Sequence, residues 1–364
     1  MKNCRAFIFV LLAFLAAACK EDPKDDQPAD SFDRKALFTN LSETAILPAF
    51  LDFVKQADSL QQIAEAFRLQ PDLPNLSALR DQWIQTKFAS KQIELLKFGP
   101  LNDTKMYSLV DKWPTNEGFI EGFINGSDPI TESFIQGKGA TSKGLPAIEY
   151  LLFEEKDADL LLARLKNEPR RVDYIVAASH NLYQKTLEIA SLWSPLGDNY
   201  QAEYIENTFS GLDGSLSLTV NQMSSHLEFM LVSKLGKALG KDLNRDADPV
   251  YLEAYRSGVS AGCLLENLLI FRELFKGGAG LGFDDYLDYL NAKKDNELLS
   301  RRILDQVQDL ENRLSNISPS LKETLDQTTT EDLYQELREL LVLVKVDMAS
   351  ALSVTLTFTD NDGD

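Results

Sequence analysis

The chain has 364 residues, with 37 Lys and Arg against 56 Asp and Glu, and a formal net charge of −19. Hydrophobic residues make up 44%, which excludes a disordered chain, and Gly, Pro and Cys are too ordinary or scarce for collagen-like or disulfide-scaffold classes. The acidic balance argues against nucleic acid as a partner, because phosphate binding needs clustered Lys and Arg.

The N-terminus reads as a targeting segment. Lys2 and Arg5 form a basic start, and Ala6 to Ala18 is an uninterrupted apolar run of 13 residues. A membrane-spanning helix needs about 20, so the run has the length of a secretory signal. It ends Leu15-Ala16-Ala17-Ala18-Cys19. This resembles a bacterial lipoprotein signal, with Cys19 as the acylated new N-terminus and Leu15 one place earlier than in the usual pattern. The other reading is an ordinary signal peptide cut after Ala18. Residues 19–33 are charged and contain Pro, as expected of a solvated acidic tether. Lys20-Glu21-Asp22 resembles a surface-export signal of some Gram-negative lipoproteins.

Cleavage after Ala18 removes Lys2 and Arg5, leaving 35 basic against 56 acidic residues, a net of −21. Cys4 leaves with the peptide, so Cys263 is the remaining free thiol and no intramolecular disulfide is expected. No later apolar run approaches spanning length in the sequence. The expected attachment is to the outer membrane through lipid alone, on the periplasmic or the outer face.

The body predicts helices. Ile46, Phe50, Phe53, Ala57, Leu60, Ala64 and Phe67 form one apolar stripe. Leu76, Leu79, Trp83, Ile93 and Leu96 form a second, with Thr86 and Ser90 in line. Val172, Ile175, Ser179, Leu182, Thr186, Ile189 and Trp193 form a third, and Leu216, Val220, Met223, Leu227 and Met230 a fourth. Leu333, Leu337, Leu340 and Val344 form another. Spacings of three and four mark helices that bury one face. Asp248-Pro249 reads as an N-cap followed by Pro at the first helical position. Thr328 with Glu331 fits a capping box, and Lys276-Gly277 reads as a helix stop. Residues 352–358 alternate with period two, as in a short strand or an extended tail.

Gly99 to Lys143 reads as long loops rich in Gly, Pro and Asn. A second break spans Leu196 to Gly214. The predicted architecture is all-α, with antiparallel helical bundles over 34–205 and 206–364 after a signal peptide at 1–18.

Several motifs can be set aside. Gly278-x-Gly280-x-Gly282 follows no strand, so it is a helix connector and not a phosphate cradle. The acidic end, Asp360 to Asp364, stops before any bidentate Glu and lacks the Gly placement of a calcium loop. His180 and His226 are the two histidines present. A zinc site built on several histidines is therefore impossible within one chain, although carboxylate-dominated cation sites remain open. His180 flanks an apolar stripe and reads as a hydrogen-bonded boundary residue.

At Gly144-Leu145-Pro146-Ala147-Ile148-Glu149-Tyr150-Leu151-Leu152-Phe153 the sequence resembles the imelysin-like family. That family's hallmark is Gly-x-His-x-x-Glu followed by an aromatic-Leu-Leu-aromatic run. Supporting matches are Trp83, Phe98-Gly99-Pro100, Trp113-Pro114, Lys234-Leu235-Gly236-Lys237, Arg256-Ser257-Gly258-x-Ser260 and Gly282-Phe283-Asp284. The resemblance implies two helical bundles with the motif helix near their contact. It implies either a metallopeptidase or an iron-uptake component, with iron or another divalent cation as the ligand. Iron-transport proteins or a TonB-type receptor are the implied partners.

Gly144 and Glu149 match the motif, but Pro146 stands at the His position. Imidazole is a metal ligand and proton shuttle, whereas Pro offers neither donor nor acceptor. This favours a binding protein of the iron or haem type without catalysis. The alternatives are a peptidase using other ligands and a surface protein that takes a peptide or glycan. Glu149 reads either as a carboxylate that coordinates a cation or pairs with Arg256, or as an acid placed near a helix N-terminus. Ser257 and Ser260 are expected at i and i+3 on one helix face beside Arg256, either presenting a ligand-binding face or permitting close packing. Trp83 completes the expected ligand-binding set of Gly144, Glu149, Arg256, Ser257 and Ser260.

Overall fold

The computed structural model describes residues 31–242, 244–318 and 320–357. Cys19, the signal segment, most of the tether and the acidic end at Asp360 to Asp364 lie outside the described residues. The described residues from Arg34 onward form one body of packed helices.

Helix α1 runs Arg34–Leu69, with a π-helical turn at Ser42–Ile46 just before Pro48. A widened turn accommodates a proline, which has no N–H to donate. Every residue of the first predicted stripe is buried on α1. By length and composition α1 could cross a membrane, contrary to the expectation from the sequence. However, half of its most apolar window is buried inside the protein, as in the core helix of a helical body.

Helix α2 (Leu73–Glu94) starts at Asp72, whose side chain accepts the Asn75 N–H at 2.9 Å. Helix α3 (Gly144–Phe153) carries the motif. Helix α4 (Pro169–Trp193) packs along α1, which also lies against α2. Trp193, at the end of α4, sits among Phe50, Phe98, Tyr200 and Tyr204 with ring centroids 5.1–5.8 Å away.

The second half is built from α5 (Ser215–Phe229), α6 (Ser260–Lys276), α7 (Phe283–Tyr289), α8 (Leu299–Ser315) and α9 (Thr328–Val342). A π-helical stretch, Met230–Gly236, extends α5, and another, Leu343–Met348, extends α9. Helices α6, α8 and α9 pack in succession, and α6 also lies along α2. The α2–α6 contact joins the two halves of the chain.

Punctuation differs from expectation in several places. The segment from Gly99 to Lys143 is not long loop but a chain of short helices. Asn116 and Thr131 start two of them, accepting the Phe119 and Phe134 N–H groups. Thr328 is the first helical residue of α9 and caps nothing, while Glu331 pairs with Lys241 at 2.8 Å. Asp248 does accept the Val250 N–H at 3.0 Å, but over a single 3-10 turn, Pro249–Tyr251. Gly277 ends α6 at φ +64°, as predicted.

Among the described residues of the predicted C-terminal strand, 352–353 form a turn and 354–357 a tail outside regular structure. Asn221 ties it down, donating to the Thr355 carbonyl at 3.0 Å and accepting the Thr357 N–H at 2.7 Å. The two short strands that do form, Lys293–Lys294 and Glu297–Leu298, make a small hairpin before α8.

Gly144 opens α3 at φ +68°, and a Cβ there would sit 2.3 Å from the Val110 carbonyl oxygen. Both the dihedral and the close approach require glycine. Gly144→Ala should therefore destabilise the protein by roughly 2 kcal/mol or more. A urea midpoint unchanged from wild type would contradict this.

Candidate functional site

Glu149 lies on α3, buried where the motif helix meets the turn before α6. Its Oε1 accepts three hydrogen bonds: the Arg256 N–H at 3.1 Å, the Ser257 N–H at 3.0 Å and the Ser257 hydroxyl at 2.9 Å. Burial pushes its carboxyl pKa up, and the Ser257 N–H and hydroxyl work against that rise. The Arg256 guanidinium turns away from Glu149. It pairs with Glu117 and lies 4.4 Å from the Tyr255 ring centroid.

The expected helix face of Ser257 and Ser260 is not formed. Helix α6 begins only at Ser260, and Arg256 and Ser257 sit in the preceding turn. Ala254 at φ +53° and Gly258 at φ +77° interrupt helical geometry there. The turn directs two successive N–H groups and a hydroxyl at one carboxylate, while the Ser260 hydroxyl donates to the Glu253 carbonyl at 2.5 Å. Pro146 is buried in the first turn of α3. Trp83 donates its indole N–H to the Leu145 carbonyl at 3.0 Å, which docks α3 on α2.

Beside this site, at the α2–α6 contact, lies a fully buried ion network. Lys87 Nζ reaches both oxygens of Asp111 at 2.6 and 2.8 Å and Glu253 at 2.8 Å. Lys91 Nζ lies 2.5 Å from Glu253, 2.5 Å from Asp111 and 3.2 Å from Glu94. Lys234 Nζ reaches Glu94 at 2.5 Å, Glu253 at 2.7 Å and the Asn267 side-chain Oδ1 at 2.7 Å. Tyr107 donates to Asp111 at 3.2 Å. Three ammonium groups therefore neutralise three carboxylates.

Burial alone would lower the pKa of Lys87 and Lys91, but Asp111 and Glu253 outweigh it and hold both above the usual lysine value. Burial would raise Glu94 and Glu253. Lys234 acts most strongly against that, with Lys91 and Lys87 beside it, and both acids fall below the usual carboxylate range. Cys263 lies nearby, its thiol pushed up by burial and so chemically quiet.

Glu94, Asp111 and Glu253 can place one oxygen each within 4.8 Å of one another, a spacing that suits a divalent ion. Their oxygens, however, already face the three ammonium groups. Glu149 is tied to its own donors, and Pro146 cannot ligate. With its oxygens taken by ammonium groups, the cluster of Glu94, Asp111 and Glu253 does not fit a metal ion.

The two histidines differ. His180 is half-buried, with Nε2 3.3 Å from a Glu65 carboxylate oxygen, an ion pair when the ring is protonated. His226, on α5, is buried, and neither ring nitrogen has a hydrogen-bond partner among the described residues. Burial drives its pKa down to about 3.

The model of the imelysin peptidase family matches residues 46–344. The chain belongs to the imelysin family. An imelysin-like protein from Psychrobacter arcticum superimposes with a TM-score of 0.73 at 21% identity, over 90% of this chain and 97% of the other. A candidate iron-regulated protein A precursor from Parabacteroides distasonis gives 0.72 at 15% identity, over 88% and 95%. These likenesses establish the fold. No curated protein matches the chain.

Sequence reasoning placed Gly144 and Glu149 at the helix contact but missed Lys87, Lys91, Glu94, Asp111 and Glu253. Lys87, Lys91 and Glu94 lie on α2 in the same buried phase as Trp83, Thr86, Ser90 and Ile93. Their spacing along that stripe was the available signal.

Lys91→Met would leave Asp111 and Glu253 one cation short inside the protein. It should cost about 3–5 kcal/mol in urea denaturation, as for other broken buried pairs. Ser257→Ala removes a hydroxyl donor from a charged acceptor and should cost roughly 1.5–3 kcal/mol. His226 refuses a proton that the unfolded chain accepts below pH 6.5. Unfolded chains thus bind more protons between that pH and about 3, and stability falls as pH drops, by about 1.4 kcal/mol per unit at most. His226→Leu should flatten the acid limb of melting temperature against pH, and an unchanged slope would refute the assignment.

Proposed function

We propose that this chain is a lipid-anchored, non-catalytic binding protein of the cell envelope that serves iron or haem uptake. The observation that carries the reading is the state of the motif acid. Glu149 is held by the Ser257 hydroxyl and two backbone N–H groups, with Pro146 where the family has its His. A metallopeptidase needs an open ligand position and a basic group near a bound water, and these residues offer neither. The iron link is supported by the Parabacteroides distasonis neighbour, described as a candidate iron-regulated protein. Anchoring is supported by the run that ends at Cys19. A TonB-type receptor or another iron-transport component is the proposed partner, with the membrane reached through the lipid.

Calorimetry of the full chain against ferric iron, copper, zinc and haem tests the reading. Saturable binding of iron or haem is expected, and binding to none of the four would refute it. A peptide-library digestion with and without chelator should show no chelator-sensitive cleavage. Cleavage that disappears with chelator would restore the peptidase alternative. Cys19→Ala should release the protein from membranes and abolish incorporation of labelled fatty acid; unchanged membrane association would refute the anchor.

A further inference from the structure

Next to Ser257 a pocket of about 340 Å³ opens between the end of α3, the turn before α6 and residues 320–323. That volume lies at the small end of ligand sites, which run roughly 300–1,000 Å³. Four cations line it, Arg80, Lys156, Arg256 and Lys322, against two acids, Glu155 and Glu323. Positive lining stands out in a chain of net charge −19.

The acids are engaged locally. Glu155 accepts the Asp157 N–H at 3.1 Å, and Glu323 accepts the Ser320 hydroxyl at 3.0 Å. The cations are not neutralised to the same degree. Arg80 donates from Nε to the Leu152 carbonyl at 2.8 Å and from one terminal nitrogen to the Glu155 carbonyl at 3.0 Å. Both acceptors are uncharged, and the second terminal nitrogen has no protein acceptor among the described residues. Its guanidinium is fixed over the Phe153 ring at 5.3 Å, and the Lys322 ammonium lies over the Tyr255 ring at 5.2 Å. No carboxylate within ion-pair distance meets Arg80, Lys156 or Lys322 among the described residues.

We propose that this pocket binds a small polyanion carrying two or more carboxylate or phosphate groups. A guanidinium held by backbone carbonyls is oriented before the ligand arrives and keeps its full charge for it. Two lysines of the same lining, Lys156 and Lys322, supply point charges to a second anionic group. The inference does not depend on the iron reading: Ser257 lines this pocket, but neither Glu149 nor the ion network does.

Titration calorimetry of the full chain in mild detergent, with citrate and separately with pyrophosphate at low salt, tests it. At least one anion should bind with one-to-one stoichiometry, and the pair of titrations tells carboxylate from phosphate as the source. Lys156→Gln combined with Lys322→Gln should weaken that binding tenfold or more at an unchanged melting temperature. The same replacement at Lys55 and Lys166, exposed lysines outside the pocket lining, should leave it within twofold. Binding of neither anion, or equal loss in both double variants, would overturn the proposal. Iron or haem binding in the same protein is a separate titration and can succeed or fail on its own.

Discussion

Six charges buried in one contact are the constraint on which the rest of this molecule depends. Moving an ion out of water costs several kcal/mol even after relaxation, so a buried charge survives only when it is paired and fully hydrogen-bonded. Glu253 meets that condition by touching all three ammonium groups, Lys87, Lys91 and Lys234. Lys87 and Lys91 come from α2, Lys234 from the π-helical extension of α5, and Glu253 from the turn before α6. No subset of these elements can hold its own charges comfortably. The network therefore acts as a condition on register: the halves meet in the arrangement that neutralises every member. Asn267 reinforces this from α6, accepting from Lys234 and donating to the Lys91 carbonyl.

That same constraint fixes the site. Once Glu253 is locked into the network, the three residues after Ala254 are held in a turn, and Ser260 bonds back to the Glu253 carbonyl. The turn presents the Arg256 and Ser257 N–H groups as a small anion-receiving surface, and Glu149 fills it. Pro146, which has no side-chain donor or acceptor, lies in the first turn of the same helix. A carboxylate that already has three donors needs no cation to stabilise its charge. The motif helix serves in this structure as a docking point between halves. Trp83, bonded to the carbonyl next to Pro146, secures the other side of α3.

The helices were legible because apolar residues repeat with helical period and nothing else competes. Every member of the four stripes read on α1, α2, α4 and α5 is buried. Glu149 was legible because a short motif fixes its place beside a helix start. The network was not, because Lys, Glu and Asp are seldom fully buried and nothing in their identity marks an interior position. Lys87 and Lys91 interrupt no apolar run; they extend one, between Trp83 and Ile93, and only their phase marks them as interior. Asp111 and Glu253 sit outside long helices, where periodicity carries no information. Short helices between Gly99 and Lys143 escaped notice because each is too brief to show a period, and their existence rests on caps such as Asn116 and Thr131. Ser257 was misplaced by treating Arg256 to Ser260 as continuous helix, when Gly258 alone signalled a break.

Charge is distributed against the average of the chain. The surface is strongly acidic, which favours solubility and repels anions at long range. The interior acids of the network are cancelled by lysines, and Glu149 Oε1 is held by polar donors. Uncompensated positive charge gathers instead at the opening beside Ser257, on Arg80, Lys156 and Lys322. A protein built this way discriminates by sign within a few ångströms. Screening leaves short-range contacts with Arg80 strong while the distant acidic surface fades beyond about 8–10 Å at ordinary ionic strength. A small anion that reaches the opening therefore meets Arg80, Lys156 and Lys322 at close range, against the acidic average of the whole molecule.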